Sequence, residues 1–190
     1  DIAQMYLATG KVKKALVIGV DKLTEYTKKE DVGTSIILAD GAGAILFGTT
    51  NKNKKYISNI QAEIDENQIL TCKTDEKIQM KGKEIYKYAV TNTIENIKEL
   101  LQKAGANLED IKYLIPHQSN TKIMKSINTR LKLEEGKMFT NIEYVGNTFC
   151  ASIPIAINEM LENNLLQEKD KVILLGYGGG LNTGSILIEI

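Results

Sequence analysis

Net charge is what this 190-residue chain lacks first: Lys and Arg together number 24, matched by 24 Asp and Glu. No long-range field therefore draws it to nucleic acid or to a membrane surface. Lysines do cluster at Lys11 to Lys14, Lys28 to Lys29 and Lys52 to Lys55, runs that read as solvated faces and, at 52–55, as a surface link. Cysteine is scarce as well. Cys72 and Cys150 follow neither metal-ligand nor disulfide spacing, so no metal site and no disulfide framework are expected. No secretory signal and no apolar span of membrane length is present, which leaves a reducing, cytoplasmic setting as the expectation. Against these absences stand a hydrophobic content of 43% and only two prolines, enough to bury a substantial core in one large domain or parts of two.

Histidine occurs once, in Tyr113-Leu-Ile-Pro-His-Gln-Ser-Asn120. Tyr113 to Ile115 reads as a short buried strand that Pro116 stops, with His117 at its end and a helix over Thr121 to Leu131 beyond. Strand ends are where α/β folds keep their chemistry, although an isolated histidine there also reads as a satisfied structural residue.

The chain opens at Asp1 with what resembles the tail of a helix closed by Gly10, so an earlier segment is expected. Ala15 to Asp21 is an apolar run of strand length, of the kind buried on both faces of an α/β sheet. Lys22 to Thr34 reads as loop. In Ser35 to Gly48 the small residues Asp40 to Ala44 suggest strand, tight turn, strand. Residues 49–80 are polar, with weak strand signals near Tyr56 to Ile60 and Gln68 to Cys72. From Lys83 to Ala104, the residues Val90, Ile94, Ile97, Leu101 and Ala104 mark one face of a long amphipathic helix ended by Gly105. After the Thr121 to Leu131 helix come an extended piece at Met138 to Tyr144 and a small-residue turn over Gly146 to Pro154. That turn enters a helix reaching Asn163. Strands at Val172 to Leu175 and Ser185 to Ile190 flank the glycine loop and close the chain.

Helix, strand, turn, strand occurs twice in this order, once in residues 2–48 and once in residues 155–190. A repeat of this length suggests two copies of one α/β unit, stacked as layered sheets with helices around and between them.

Three segments bear on chemistry. A neutral imidazole at His117 and a carboxamide at Asn147 are donors suited to a developing oxyanion or enolate. Asn147 reads equally as a local turn residue, and Gln118 and Asn120 as helix-start residues. Gly178 to Gly180 follow a strand but precede another strand, whereas a dinucleotide fingerprint needs a helix next. They fit a loop whose backbone N–H groups approach a reacting carbonyl, or a plain hairpin turn. Cys150, among Phe149, Ala151 and Ile153, reads as a small buried hydrophobe.

With Pro116-His-Gln-Ser-Asn120, Gly146-Asn-Thr-Phe-Cys-Ala-Ser-Ile-Pro154 and Gly178-Gly-Gly-Leu-Asn-Thr-Gly184 in this order, the chain resembles β-ketoacyl-acyl carrier protein synthase III, a condensing enzyme of the thiolase superfamily. Gly33 to Ala44 and Met80 to Val90 extend the resemblance; 49–79 match poorly. The resemblance implies an α/β, thiolase-like layered αβαβα fold, here the end of a first half (1–50), a connecting segment (51–80) and a complete second half (81–190). It implies His117 and Asn147 as two members of a Cys-His-Asn triad, with Gly179 supplying a backbone donor to the second oxyanion. Gly33 and Asn120 would line the pantetheine tunnel, with Tyr86 as an aromatic wall, and Lys87, Lys122 and Lys125 would dock an acidic carrier protein.

The reaction so implied is a decarboxylative Claisen condensation of an acyl-CoA primer with malonyl-acyl carrier protein. It uses coenzyme A thioester as substrate and no cofactor, in a cytoplasmic homodimer that engages neither nucleic acid nor membrane. The family's nucleophilic cysteine would lie before Asp1, so the 190 residues are expected to be inactive by themselves. Val32 stands where relatives commonly carry Arg. A condensing enzyme of specialised metabolism and a non-catalytic acyl-thioester-binding fragment are the alternatives; a nucleotide-dependent dehydrogenase is disfavoured by the strand after the glycine loop.

Overall fold

The computed structural model describes residues 1–49 and 54–190; the first two positions of the lysine run at 52–55 lie outside them. Regular apolar spacing produces the longest element, α3 (Gly82–Ala104), which Gly105 closes in the left-handed conformation, φ +56°. Its inward face buries Val90, Ile94, Ile97, Leu100 and Ala104. They pack on Ile173, Leu175 and Leu187 of a four-stranded sheet, together with Ile123 and Ile127 of α4 (Thr121–Leu131). Complete burial of one such side chain stabilises by roughly 1.5–3 kcal/mol.

That sheet runs β3 (Tyr56–Ala62), β8 (Asn182–Glu189), β7 (Lys171–Gly178), β6 (Tyr113–Pro116). β6 is parallel to β7 and the other pairs are antiparallel. Met138 adds a single parallel bridge outside β6 at Leu114. Its other face carries Ile115, Val172 and Leu174, which bury Ala156 and Met160 of α6 (Ser152–Glu162). Beyond α6 lies a two-stranded antiparallel sheet of β1 (Lys14–Asp21) and β2 (Gly41–Gly48). The helices α3 and α4, the large sheet, α6 and the small sheet thus form successive layers. The repeated unit is visible as α1 (Ile2–Ala8), β1, β2 against α6, β7, β8. Short helices α2 (Val32–Ser35) and α5 (Ile142–Val145), single 3₁₀ turns at Leu23–Glu25, Leu108–Asp110 and Phe149–Ala151, and a small hairpin of β4 (Leu70–Thr71) and β5 (Gln79–Met80) complete the described elements. Among the described residues no helix is long and apolar enough to cross a membrane.

Several local expectations are corrected. β1 is not buried on both faces: Leu16, Ile18 and Val20 are 57–62% exposed, because no described element covers the outer side of this two-stranded sheet. Asp40 to Ala44 form no turn, since Gly41 to Ala44 are the first half of β2; the chain turns instead at Ile36 and Ile37, before Leu38 bridges in parallel to Asn147. The glycines are needed for close approach instead. A Cβ at Gly19 would lie 2.3 Å from the Cys150 carbonyl oxygen, and one at Gly43 would lie 2.7 Å from Pro154 Cβ. The small side chains let the start of α6 rest directly on the strands. The end of the piece expected to be extended, 138–144, instead lies in the helical turn Ile142–Val145 that leads to Gly146.

Candidate active site

His117 continues β6 past Pro116, and its backbone N–H donates to the Leu175 carbonyl at 2.7 Å. The imidazole packs edge-on against Tyr177, with ring centroids 5.5 Å apart. Its Nδ1 lies 2.7 Å from Ser152 Oγ. The Gln118 N–H also donates to that oxygen, at 3.4 Å. Among the described residues Nε2 has no protein partner, and His117 lines the cavity. Burial lowers the imidazole pKa to about 4, opposed by the Asp21 carboxylate, so the ring is neutral at neutral pH.

Asn147 reaches the same cavity from the other repeat's side. Its N–H donates to the Ile37 carbonyl and its own carbonyl accepts from the Ala39 N–H, both at 2.9 Å. The side-chain Oδ1 accepts from the Phe149 N–H at 3.0 Å. One Nδ2 hydrogen goes to the Ser119 carbonyl at 3.2 Å, and the second has no protein acceptor among the described residues. His117 therefore hangs from the large sheet, whereas Asn147 is pinned to the segment between α2 and β2. Gly146, φ +80°, is required between them and that segment, since a Cβ would lie 2.8 Å from that of Ala39.

The cavity holds about 470 Å³ and is walled mainly by apolar side chains, with Ile69, Leu70, Ile78 and Met80 contributed by the β4–β5 hairpin region. Gly33, Asn120 and Gly179 all line it. Asn120 caps α4 by accepting from the Lys122 N–H at 2.8 Å, which leaves its Nδ2 for a ligand. Gly179 sits in the β7–β8 turn, where Gly180 and Leu181 take positive φ; the loop is thus both a hairpin turn and a cavity wall. Tyr86 does not line the cavity: its hydroxyl pairs with Ser126 Oγ at 2.6 Å on the α3–α4 surface, and Tyr88 is the lining tyrosine of α3. Lys87, Lys122 and Lys125 are exposed on these two packed helices.

Other polar residues differ from their expected roles. Gln118 is a buried cross-link: its Nε2 donates to the Pro116 and Phe139 carbonyls and its Oε1 accepts from the Asn141 N–H. Cys150 is exposed rather than buried, and its thiol donates to Asp21 Oδ2 at 2.6 Å. Burial and that carboxylate raise its pKa, which keeps it a thiol. Cys72 is exposed and does not line the cavity. Ser152 and Asp21 were not singled out in the sequence. A serine at a helix start reads as local structure, while an acid ending the apolar run 15–21 was the one available signal.

Residues 101–190 match the family described as 3-oxoacyl-[acyl-carrier-protein (ACP)] synthase III C terminal, and residues 1–65 match 3-oxoacyl-[acyl-carrier-protein (ACP)] synthase III. The chain is 39% identical over 187 residues to beta-ketoacyl-[acyl-carrier-protein] synthase III 1 of Bacillus anthracis, covering 98% of this chain and 60% of the relative. It is 37% identical over 191 residues to the Aquifex aeolicus synthase III, covering 100% of this chain and 62% of that one. The crystal structure from Aquifex aeolicus VF5 superposes with a TM-score of 0.96 at 35% identity, over all of this chain and 62% of its own. The Thermus thermophilus structure gives 0.93 at 27% identity, covering 100% and 63%. The chain thus spans about three fifths of the length of the curated relatives it matches.

Proposed function

This chain belongs to the 3-oxoacyl-[acyl-carrier-protein] synthase III family of thiolase-like acyltransferases, and on that footing we propose that it forms the malonyl-activating part of a condensing enzyme that initiates fatty acid synthesis. The observation that supports this most directly is the convergence of His117 and Asn147 on one cavity, with His117 Nε2 and one Asn147 amide hydrogen lacking a protein partner among the described residues. Two neutral donors suit a group that is uncharged in the bound thioester and anionic in the enolate.

In the proposed reaction an acyl-CoA primer first acylates a cysteine outside these 190 residues, releasing coenzyme A. Malonyl-acyl carrier protein then enters with its thioester oxygen on His117 Nε2–H and Asn147 Nδ2–H. The bond from its α-carbon to the carboxylate breaks, carbon dioxide departs, and the electron pair enters the enolate held by both donors. The α-carbon attacks the acyl-cysteine carbonyl. A backbone N–H at Gly179 supports the resulting oxyanion, which collapses with loss of the cysteine thiolate. The product is 3-oxoacyl-acyl carrier protein. No cofactor is needed beyond the coenzyme A thioester. Asn120 and Gly33 line the pantetheine path, while Lys87, Lys122 and Lys125 attract the acidic carrier. The whole protein acts in the cytoplasm as a homodimer, with no nucleic-acid or membrane partner; a monomer in light scattering at high concentration would reject the dimer.

The test is a comparison of half-reactions in the polypeptide carrying the acylatable cysteine. His117→Ala and Asn147→Ala should each slow malonyl decarboxylation by roughly 10²–10³-fold and leave cysteine acylation within a few-fold. Equal loss of both half-reactions rejects the assignment.

A further inference from the structure

The segment carrying Asn147 contains a conformation that nothing within the segment itself explains. Phe149 has φ +46°, in the left-handed region that a bulky side chain seldom adopts. Its N–H is nevertheless the donor that fixes the Asn147 amide, so the strained residue and the orientation of the Asn147 donor are one feature. The residue that follows is held from outside. Asp21, the last residue of β1, accepts both the Cys150 N–H, at 3.0 Å, and the Cys150 thiol, at 2.6 Å, on the same Oδ2.

We propose that Asp21 is the positioning residue for Asn147: by gripping Cys150 it holds Phe149 in its left-handed conformation and thereby aims the Asn147 Nδ2–H into the cavity. Geometry supports this from several directions. Gly19, two residues before Asp21 on the same face of β1, lets the Cys150 carbonyl approach the strand, so the grip has a fixed distance. Asn147 itself is tied to Ile37 and Ala39, so the loop is clamped at both ends with Phe149 between the clamps. A carboxylate accepting two hydrogen bonds from one residue is a stronger tether than a neutral oxygen. Asp21 also lines the cavity while donating nothing to it, which suits a support rather than a reacting group.

The proposal rests on the reading of Asn147 as an enolate donor. Its test therefore runs Asp21→Ala, Asp21→Asn and Asn147→Ala side by side in the polypeptide carrying the acylatable cysteine, reading kcat and KM for malonyl-thioester decarboxylation and the thermal midpoint. Asp21→Ala should lower kcat by about tenfold to hundredfold, with KM within about twofold. Asp21→Asn keeps an oxygen that can accept the Cys150 N–H and should recover most of kcat. Alkylation of Cys150 by iodoacetamide should move to lower pH in both variants, because the carboxylate that opposes thiolate formation is gone. Wild-type kcat in Asp21→Ala overturns the proposal. So does a loss in Asp21→Asn equal to that in Asp21→Ala, or a fall that follows only a lowered thermal midpoint. If Asn147→Ala decarboxylates normally, the enolate reading fails and takes this role with it. If Asn147→Ala is impaired and Asp21→Ala is not, only the Asp21 role is lost.

Discussion

Ser152 Oγ lies 2.7 Å from His117 Nδ1, at the first residue of α6, and it joins the start of one element to the end of another 35 positions away. If the hydroxyl gives its proton to Nδ1, the hydrogen of the neutral ring stands on Nε2, the tautomer that the proposed enolate contact requires. Ser152→Ala should mix the two tautomers, seen as a change in the imidazole ¹⁵N shifts. It should also cut malonyl decarboxylation by roughly tenfold or more. A Ser152→Thr variant with restored shifts and rate would tie the two effects together.

Because the sequence holds one histidine, its titration is free of overlap. Burial holds the His117 pKa at about 4 against an ordinary 6.5, with Asp21 pulling the other way. Between those values the unfolded chain binds the proton and the folded chain does not. Stability from this group is therefore complete above pH 6.5 and declines as pH falls towards 4, by on the order of 3 kcal/mol in all. Urea midpoints measured from pH 7.5 to 4.5 should fall less in His117→Gln than in the parent, and no imidazole titration should appear near pH 6.5.

Glycines at the layer contact should tolerate no side chain. Gly19→Ala and Gly43→Ala drive a Cβ into the Cys150 carbonyl and into Pro154, partners that cannot rotate away. Each should cost about 1–3 kcal/mol or more. Gly48→Ala, where a Cβ would lie 3.8 Å from the Lys13 carbonyl oxygen, should be close to neutral. Chemical denaturation of the three variants separates close packing from a generic glycine effect.

The outer face of β1 and β2 exposes Leu16, Ile18, Val20 and Leu46 together. A contiguous apolar patch of this kind seeks cover. The 190 residues expressed by themselves should bind a hydrophobic dye and self-associate. Ile18→Lys with Val20→Lys should reduce both in sedimentation and dye titration. Undiminished self-association would place the sticky surface elsewhere.

Periodicity made much of the fold legible. Regular spacing of Val90, Ile94 and Ile97 located α3, Asn120 and Thr121 marked the start of α4, and the repeated helix-strand-strand order anticipated the two sheets. What failed were stretches of small residues. Asp40 to Ala44 read as a turn because glycine permits turns, yet Gly41 to Ala44 are strand, and the reason lies in Thr148 and Pro154, more than a hundred residues away. The burial of β1 failed for a related reason: an apolar run records that a strand is meant to be covered, not that the covering element lies within the same stretch of chain. The site divides in the same way. His117, Asn147, Asn120 and Gly179 could be singled out because their motifs are local, and all four line the cavity. Ser152 and Asp21 were not, since a serine or an acid becomes significant only through what it touches.

The sequence by itself determined where the long helices and the apolar strands lie, because backbone preference and hydrophobic period are properties of neighbours a few residues apart. It also determined which side chains could serve as neutral donors. Only the tertiary structure decided that those donors share a cavity, that Ser152 meets Nδ1 of His117, and that Asn147 is tied to the segment before β2. Those are outcomes of hydrogen bonds and close contacts between residues far apart in the chain, whose directions no local pattern encodes.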